Sequence, residues 1–184
     1  MIEATPDVNF WLNAARRDDT LGDAINRGND YMQAIHFARS VGDRCGVRYH
    51  TGEHVLRNVR SALRQDEISR RGVTRFAWSN DDIEDFVQMI VLAVEATGGR
   101  SDVRTVSHEV ALREYQLSGA PDAEDHQMVM LAANSPATVF ATSDVDLLAV
   151  GEYQGVEFWE SKELIDEVAA TLRRMRRDAG ERTK

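Results

Sequence analysis

The chain has one cysteine, Cys45, and two lysines, Lys162 and Lys184, among its 184 residues. A lone cysteine excludes an internal disulfide and any multi-cysteine metal site. No apolar run reaches the ~18 residues that a membrane-spanning helix needs. Residues 1–7 have neither the basic n-region nor the apolar h-region of a signal peptide. No Gly/Ser/Pro-rich linker and no internal repeat divides the chain. Together these absences point to a cytoplasmic protein that does not span a membrane. The shortage of lysine beside 20 arginines is a signature of GC-rich codon usage and carries little weight alone.

Hydrophobic residues make up 42% and charged residues 29%, a balance that fits a folded core and not a disordered chain. The length suits one domain or two small ones. The net charge of −9 is unevenly spread. Residues 1–100 come to −2 and residues 101–167, with 3 basic and 14 acidic groups, to −11. Residues 168–184 come to +4. An acidic middle repels phosphate backbones, which disfavours nucleic acid and suits a protein partner or a cation.

Periodicity predicts about four helices in residues 1–100. Thr5-Pro6-Asp7 reads as a helix start with Thr5 as N-cap. Leu21, Ile25, Gly28, Met32 and Ile35 give the stripe of a second helix over about 19–40. A third begins near Thr51, which reads as its N-cap. Ser79 with Asp82 opens a fourth, ended by Gly98-Gly99. Residues 106–117 fit helix or strand. Short apolar runs at 138–142, 145–150 and 156–159 read as strands, and 128–132 as a strand or a helix capped by Asp122. Their short connections predict antiparallel pairing. A last helix spans about 162–177. The expected fold is α+β: a helical region 1–100 packed on an α+β region 101–184 with a small antiparallel sheet and a terminal helix, as two regions or one continuous domain.

Three motifs carry possible chemistry. Asp146 on one predicted strand, with Glu160 and Lys162 on the next, resembles the hairpin of restriction-endonuclease-like PD-(D/E)xK enzymes. That resemblance implies a Mg-dependent nuclease in which Asp146 and Glu160 hold the cation and Lys162 orients the attacking water. Alternation along a strand puts Glu160 and Lys162 on one face. The segment Ser161-Lys162-Glu163-Leu164-Ile165 also reads as a helix start with Ser161 as N-cap. Second, His50-Thr51-Gly52-Glu53-His54 resembles the inverted zincin motif, which implies zinc held by His50 and His54 with Glu53 as base. With Thr51 as N-cap, His50 instead falls outside the helix. Third, Asp144 and Asp146 resemble the paired aspartates of nucleotidyltransferases, which hold two magnesium ions, with Glu157 as a third carboxylate.

None of the three is complete in the sequence. The leading expectation is therefore an acidic, non-enzymatic cytoplasmic protein that acts by binding a protein partner, with no cofactor. Regulators, inhibitors, immunity-type proteins and chaperones share this profile. The Mg-dependent nuclease is the alternative, and the zinc-binding protein follows it.

Overall fold

The computed structural model describes residues 1–16, 22–65, 68–69, 72–73 and 76–181. Helices and strands are mixed, and a long helix closes the chain, as the sequence predicts. Five strands form the main sheet in the order β2 (Val47–Tyr49), β1 (Ile2–Pro6), β5 (Val139–Thr142), β7 (Val156–Glu160) and β6 (Glu152–Tyr153). One pairing, β6 with β7, is antiparallel. The other three are parallel: β1 with β2, β1 with β5, and β5 with β7. A separate antiparallel pair joins β3 (Ile68–Ser69) and β4 (Gly72–Val73).

The parallel pairings correct the antiparallel expectation, and the reason lies in two segments. The first is β1, an interior strand between β2 and β5. Thr5 and Pro6 are its last residues and do not cap a helix. The N-cap is Asp7, and α1 (Val8–Ala15) follows it directly. Pro6 is tolerated because it ends the strand, and the next N–H, on Asp7, donates to the Ala141 carbonyl at 2.8 Å. The second is 145–150, read as a strand, where the structure has the short helix α7 (Val145–Leu148). Only Leu147 of that helix is buried, so the apolar run is not a two-sided core strand. With α7 and β6 inside it, the 143–155 connection is long enough for a parallel crossover from β5 to β7.

The remaining helices are α2 (Gly22–Val41), α3 (Glu53–Arg64), α4 (Asn80–Ala96), α5 (His108–Glu114), α6 (Ala123–Ala133) and α8 (Ser161–Glu181). Residues 106–117 resolve into α5 followed by a 3₁₀ turn. Residues 128–132 belong to α6, whose N-cap Asp122 accepts the Glu124 and Asp125 N–H groups. Ser79 caps α4 as predicted, accepting the Asp82 N–H at 3.2 Å. Helix α3 starts one residue later than predicted, with Gly52 as N-cap. Gly52 cannot carry a side chain: an added Cβ would stand 1.9 Å from the Val103 carbonyl oxygen.

The core is continuous across the sheet and both halves of the sequence. Strand β5 is buried at every position, as a central parallel strand requires. Phe140 and Phe158 meet edge to face at 5.3 Å. Phe10 packs on Trp11, Tyr31 and Tyr49. Helix α6 rests on β1 and β5, and α8 rests on β5 and β7. No described helix is long and apolar enough to cross a membrane.

Candidate active site

The strand order places a topological switch point between β1 and β5. From β1 the chain crosses to β2 on one side, and from β5 to β7 on the other. In open parallel sheets the connections diverge there and leave a crevice outside the carboxyl ends of the strands. Asp7 follows the last residue of β1, and Asp144 lies two residues beyond β5. Asp125 enters from the first turn of α6, with Glu124 beside it. A pocket of about 340 Å³ lies between them, lined by Asp7, Glu124, Asp125 and Asp144 with Asn9, Asn58, Ser61 and Gln65.

The backbone holds these carboxylates firmly. Asp7 is 6% exposed. Its Oδ1 accepts the Val8 N–H at 2.6 Å and its Oδ2 accepts the Thr142 hydroxyl at 3.0 Å. The same Thr142 oxygen accepts the Asp144 N–H at 3.0 Å, so one hydroxyl on β5 fixes both aspartates. Asp144 in turn caps α7, its Oδ1 accepting the Asp146 and Leu147 N–H groups. Glu124 Oε1 accepts from the Asn58 amide at 3.1 Å.

Among the described residues, four acidic residues and no lysine or arginine line this pocket. Burial pushes the Asp7 carboxyl up to about 6, with the charge of Asp144 adding to it against the bonds from Thr142 and Val8. Burial also pushes Asp125 up to about 6, helped by the negative charges of Asp122, Asp144, Asp7 and Glu124. A carboxylate raised by burial and by like charges is stabilised when a cation arrives. Among the described residues no three His, Cys, Asp or Glu side chains form a group able to hold a metal ion by themselves. An ion here would need water or substrate oxygens to complete its shell, which is how Mg²⁺ is commonly bound: one or two carboxylates, several waters and substrate phosphates.

A larger groove of about 890 Å³ adjoins the pocket and shares Asn58 and Glu124 with it. His54, Arg57, Arg104 and His108 line this groove. It therefore offers cationic and hydrogen-bonding groups next to the carboxylates.

Of the residues singled out in the sequence, only Asp144 lines the pocket of Asp7 and Asp125. Strand β7 ends at Glu160, and Lys162 stands in the first turn of α8, so the shared strand face of the PD-(D/E)xK hairpin does not form. The exposed Lys162 Nζ donates to Asp166 at 2.8 Å. Asp146 is exposed on α7 and contributes its N–H to Asp144. Of the pair Asp144 and Asp146, only Asp144 lines the pocket. Glu157 lies on β7, where it accepts the Trp159 indole N–H at 3.1 Å.

His50 and His54 do not share a helix face. His50 precedes α3 and is 1% exposed. Its Nδ1 accepts the Arg100 backbone N–H at 3.1 Å, so Nε2 carries the proton and donates to Glu3 at 2.8 Å. Glu3 also binds Arg48, at 2.6 Å. His54 Nδ1 accepts from Arg57 at 3.1 Å, and its pKa is lowered by burial and then by Arg57. Glu53 is exposed and pairs with Arg60. Both ring nitrogens of His50 are thus engaged within the protein.

Asp7 and Asp125 escape a reading by motif because they are distant in sequence and belong to no spacing pattern. The available signal for Asp125 was the adjacent Glu124 in the first turn of α6. Neither the family models nor the curated proteins compared with the chain match it.

Proposed function

We propose that the protein is a divalent-metal-dependent phosphodiesterase that cleaves a nucleic-acid strand at the pocket of Asp7, Asp125 and Asp144. One observation carries this: four acidic residues, and no lysine or arginine among the described residues, line a pocket at the switch point of a parallel sheet. Asp7 and Asp144, tied together through Thr142, would hold Mg²⁺, with waters and a substrate phosphate completing its shell and Asp125 adding negative charge nearby. The ion, when bound, supplies charge neutralisation at the phosphate and a more acidic water.

The residues then divide the work. Thr142 keeps Asp7 and Asp144 in register. The carboxylates exclude a phosphate unless a cation lies between, which makes the reaction metal-dependent. Glu124, at the border of the pocket and the groove, accepts a proton from the attacking water as its oxygen bonds to phosphorus. The P–O bond to the leaving sugar oxygen breaks, and that oxygen takes up a proton from solvent water, to which Glu124 later returns its own. Arg57 and Arg104 in the adjoining groove meet neighbouring phosphates. The acidic balance of residues 101–167, which disfavours nucleic acid as a sum, includes the carboxylates that a cation would neutralise.

The test is cleavage of end-labelled single-stranded RNA and DNA oligonucleotides by the full chain. Cleavage that needs Mg²⁺ or Mn²⁺, stops with EDTA and is lost in Asp7→Asn and Asp144→Asn is the expected result. No cleavage of either polymer with either ion would overturn the assignment.

Action by binding a protein partner is the second reading. It is favoured by the exposed apolar side chains Leu112, Leu117 and Val145, at 56%, 73% and 77%. A stoichiometric partner captured by the wild type and lost in Leu112→Ser/Leu117→Ser/Val145→Ser would support it. Equal capture by both would count against it.

A further inference from the structure

We infer that α8 is a self-complementary dimerisation helix, on which a second copy of this chain lies antiparallel. Leu164, Ile165 and Val168 face the core. On the opposite side stand Glu163, Asp166, Glu167, Ala170, Arg173, Arg174 and Arg177, all exposed except the half-buried Ala170. At about 100° per residue these seven positions lie within about 60° of one line along the helix. The stripe is acidic before Ala170 and basic after it.

Antiparallel placement about Ala170 sets Glu163 opposite Arg177 of the second copy, with Asp166 beside its Arg173 on one flank and Glu167 beside its Arg174 on the other. The two-fold axis repeats all three pairs, which is the isologous pattern of a C₂ interface. The small side chain at the crossing lets the two helices approach closely. Beside the acidic half lies a groove of about 550 Å³ lined by Glu157, Trp159, Glu163, Asp166 and Glu167. It has room for an arginine head, with an aromatic face on which a guanidinium stacks.

The pattern is unfavourable within one helix. Glu163 with Glu167, and Arg173 with Arg177, are like charges at i, i+4, which destabilise a helix. The helix dipole favours acids and bases only in the first and last turns. Arg173 and Arg174 lie about two turns before the end of α8 at Glu181. Present contacts leave the stripe largely open: Lys162 binds Asp166, Arg174 donates to Thr171 Oγ1, and Glu163 accepts the Glu160 N–H. Among the described residues no ion pair involves Arg173, Arg174 or Arg177.

Sedimentation equilibrium of the full chain tests this with two charge reversals, Arg173→Glu/Arg174→Glu/Arg177→Glu and Glu163→Arg/Asp166→Arg/Glu167→Arg. The wild type is expected to dimerise, and more weakly as salt is raised. Each reversal should raise the dimer dissociation constant roughly 100-fold or more. An equimolar mixture of the two variants should restore a dimer, which misfolded variants would not do. A monomeric wild type, wild-type dimerisation by either reversal, or a mixture that stays monomeric would overturn the inference.

Discussion

Two acidic places in this molecule look alike in sequence and differ in physics. One is the pocket of Asp7, Asp125 and Asp144, the other the junction of β7 and α8 with Glu160 and Lys162. In the pocket Asp7 is buried, Asp125 and Asp144 are half-buried, and no lysine or arginine among the described residues joins the lining. At the junction Glu160 is exposed, and the one cation, Lys162, is taken by Asp166 one turn along its own helix. Solvent screens the second group more than the first. Sheet topology makes this difference, because it brings the ends of β1 and β5 together and turns the chain into a helix after β7.

Substitution can break or sharpen the contrast, and the largest effect belongs to catalysis. Asp7→Asn and Asp144→Asn should each lower metal-dependent cleavage by roughly 10²–10³-fold. Glu160→Gln, Asp146→Asn and Lys162→Ala should stay within about twofold of the wild type in the same assay. An inactive Lys162→Ala would reverse the comparison.

Stability gives the next effect. Asp7 is raised from 3.8 to about 6 in the folded chain. Between those values the folded state holds a proton that the unfolded state has released. The contribution to stability is therefore fully present below pH 4 and is lost as the pH rises through 6. The difference is worth about 3 kcal/mol. Urea unfolding of the metal-free protein at pH 8 should show Asp7→Asn more stable than the wild type, with the gap closing by pH 4.

Divalent cations should act in the same window. Mg²⁺ at about 100 times its dissociation constant stabilises the folded state by about 2.7 kcal/mol. The resulting rise in Tm should be clear at pH 7.5 and small at pH 5, where protons compete for Asp7 and Asp125. A rise that is equal at both values would place the ion elsewhere.

Smaller effects test the supports of each region. Thr142→Val leaves Asp7 Oδ2 and the Asp144 N–H without their shared partner and should cost about 1–2 kcal/mol in thermal or urea unfolding. Lys162→Ala removes a solvent-exposed pair and should leave the urea and thermal midpoints unchanged within error.

The sequence makes elements legible where a local signal sets them. The hydroxyl of Ser79 and the carboxylate of Asp122 announce α4 and α6. The apolar runs of β5 and β7 announce strands. Strand β1 stays hidden because Thr5-Pro6 imitates a helix start and because Glu3 stands inside it. Glu3 is tolerated there through Arg48 and His50, partners supplied by β2 and the residue after it. The run 145–150 imitates a strand because its side chains are apolar, while Asp144 caps it as a helix. The candidate site is less legible than the fold. Asp144 stands out beside Asp146, but Asp7 and Asp125 join it only through parallel pairing of β1 with β5. Short connections argue against such pairing until α7 and β6 are seen within one of them.

The most direct measurement is Mn²⁺ binding by electron paramagnetic resonance at pH 7.5, on the full chain and on Asp7→Asn, Asp144→Asn, Asp146→Asn and Glu160→Gln. The wild type, Asp146→Asn and Glu160→Gln should bind alike, and Asp7→Asn and Asp144→Asn at least about tenfold more weakly. Equal binding by all five proteins, or loss in Glu160→Gln with Asp7→Asn unaffected, would contradict a metal site at the ends of β1 and β5.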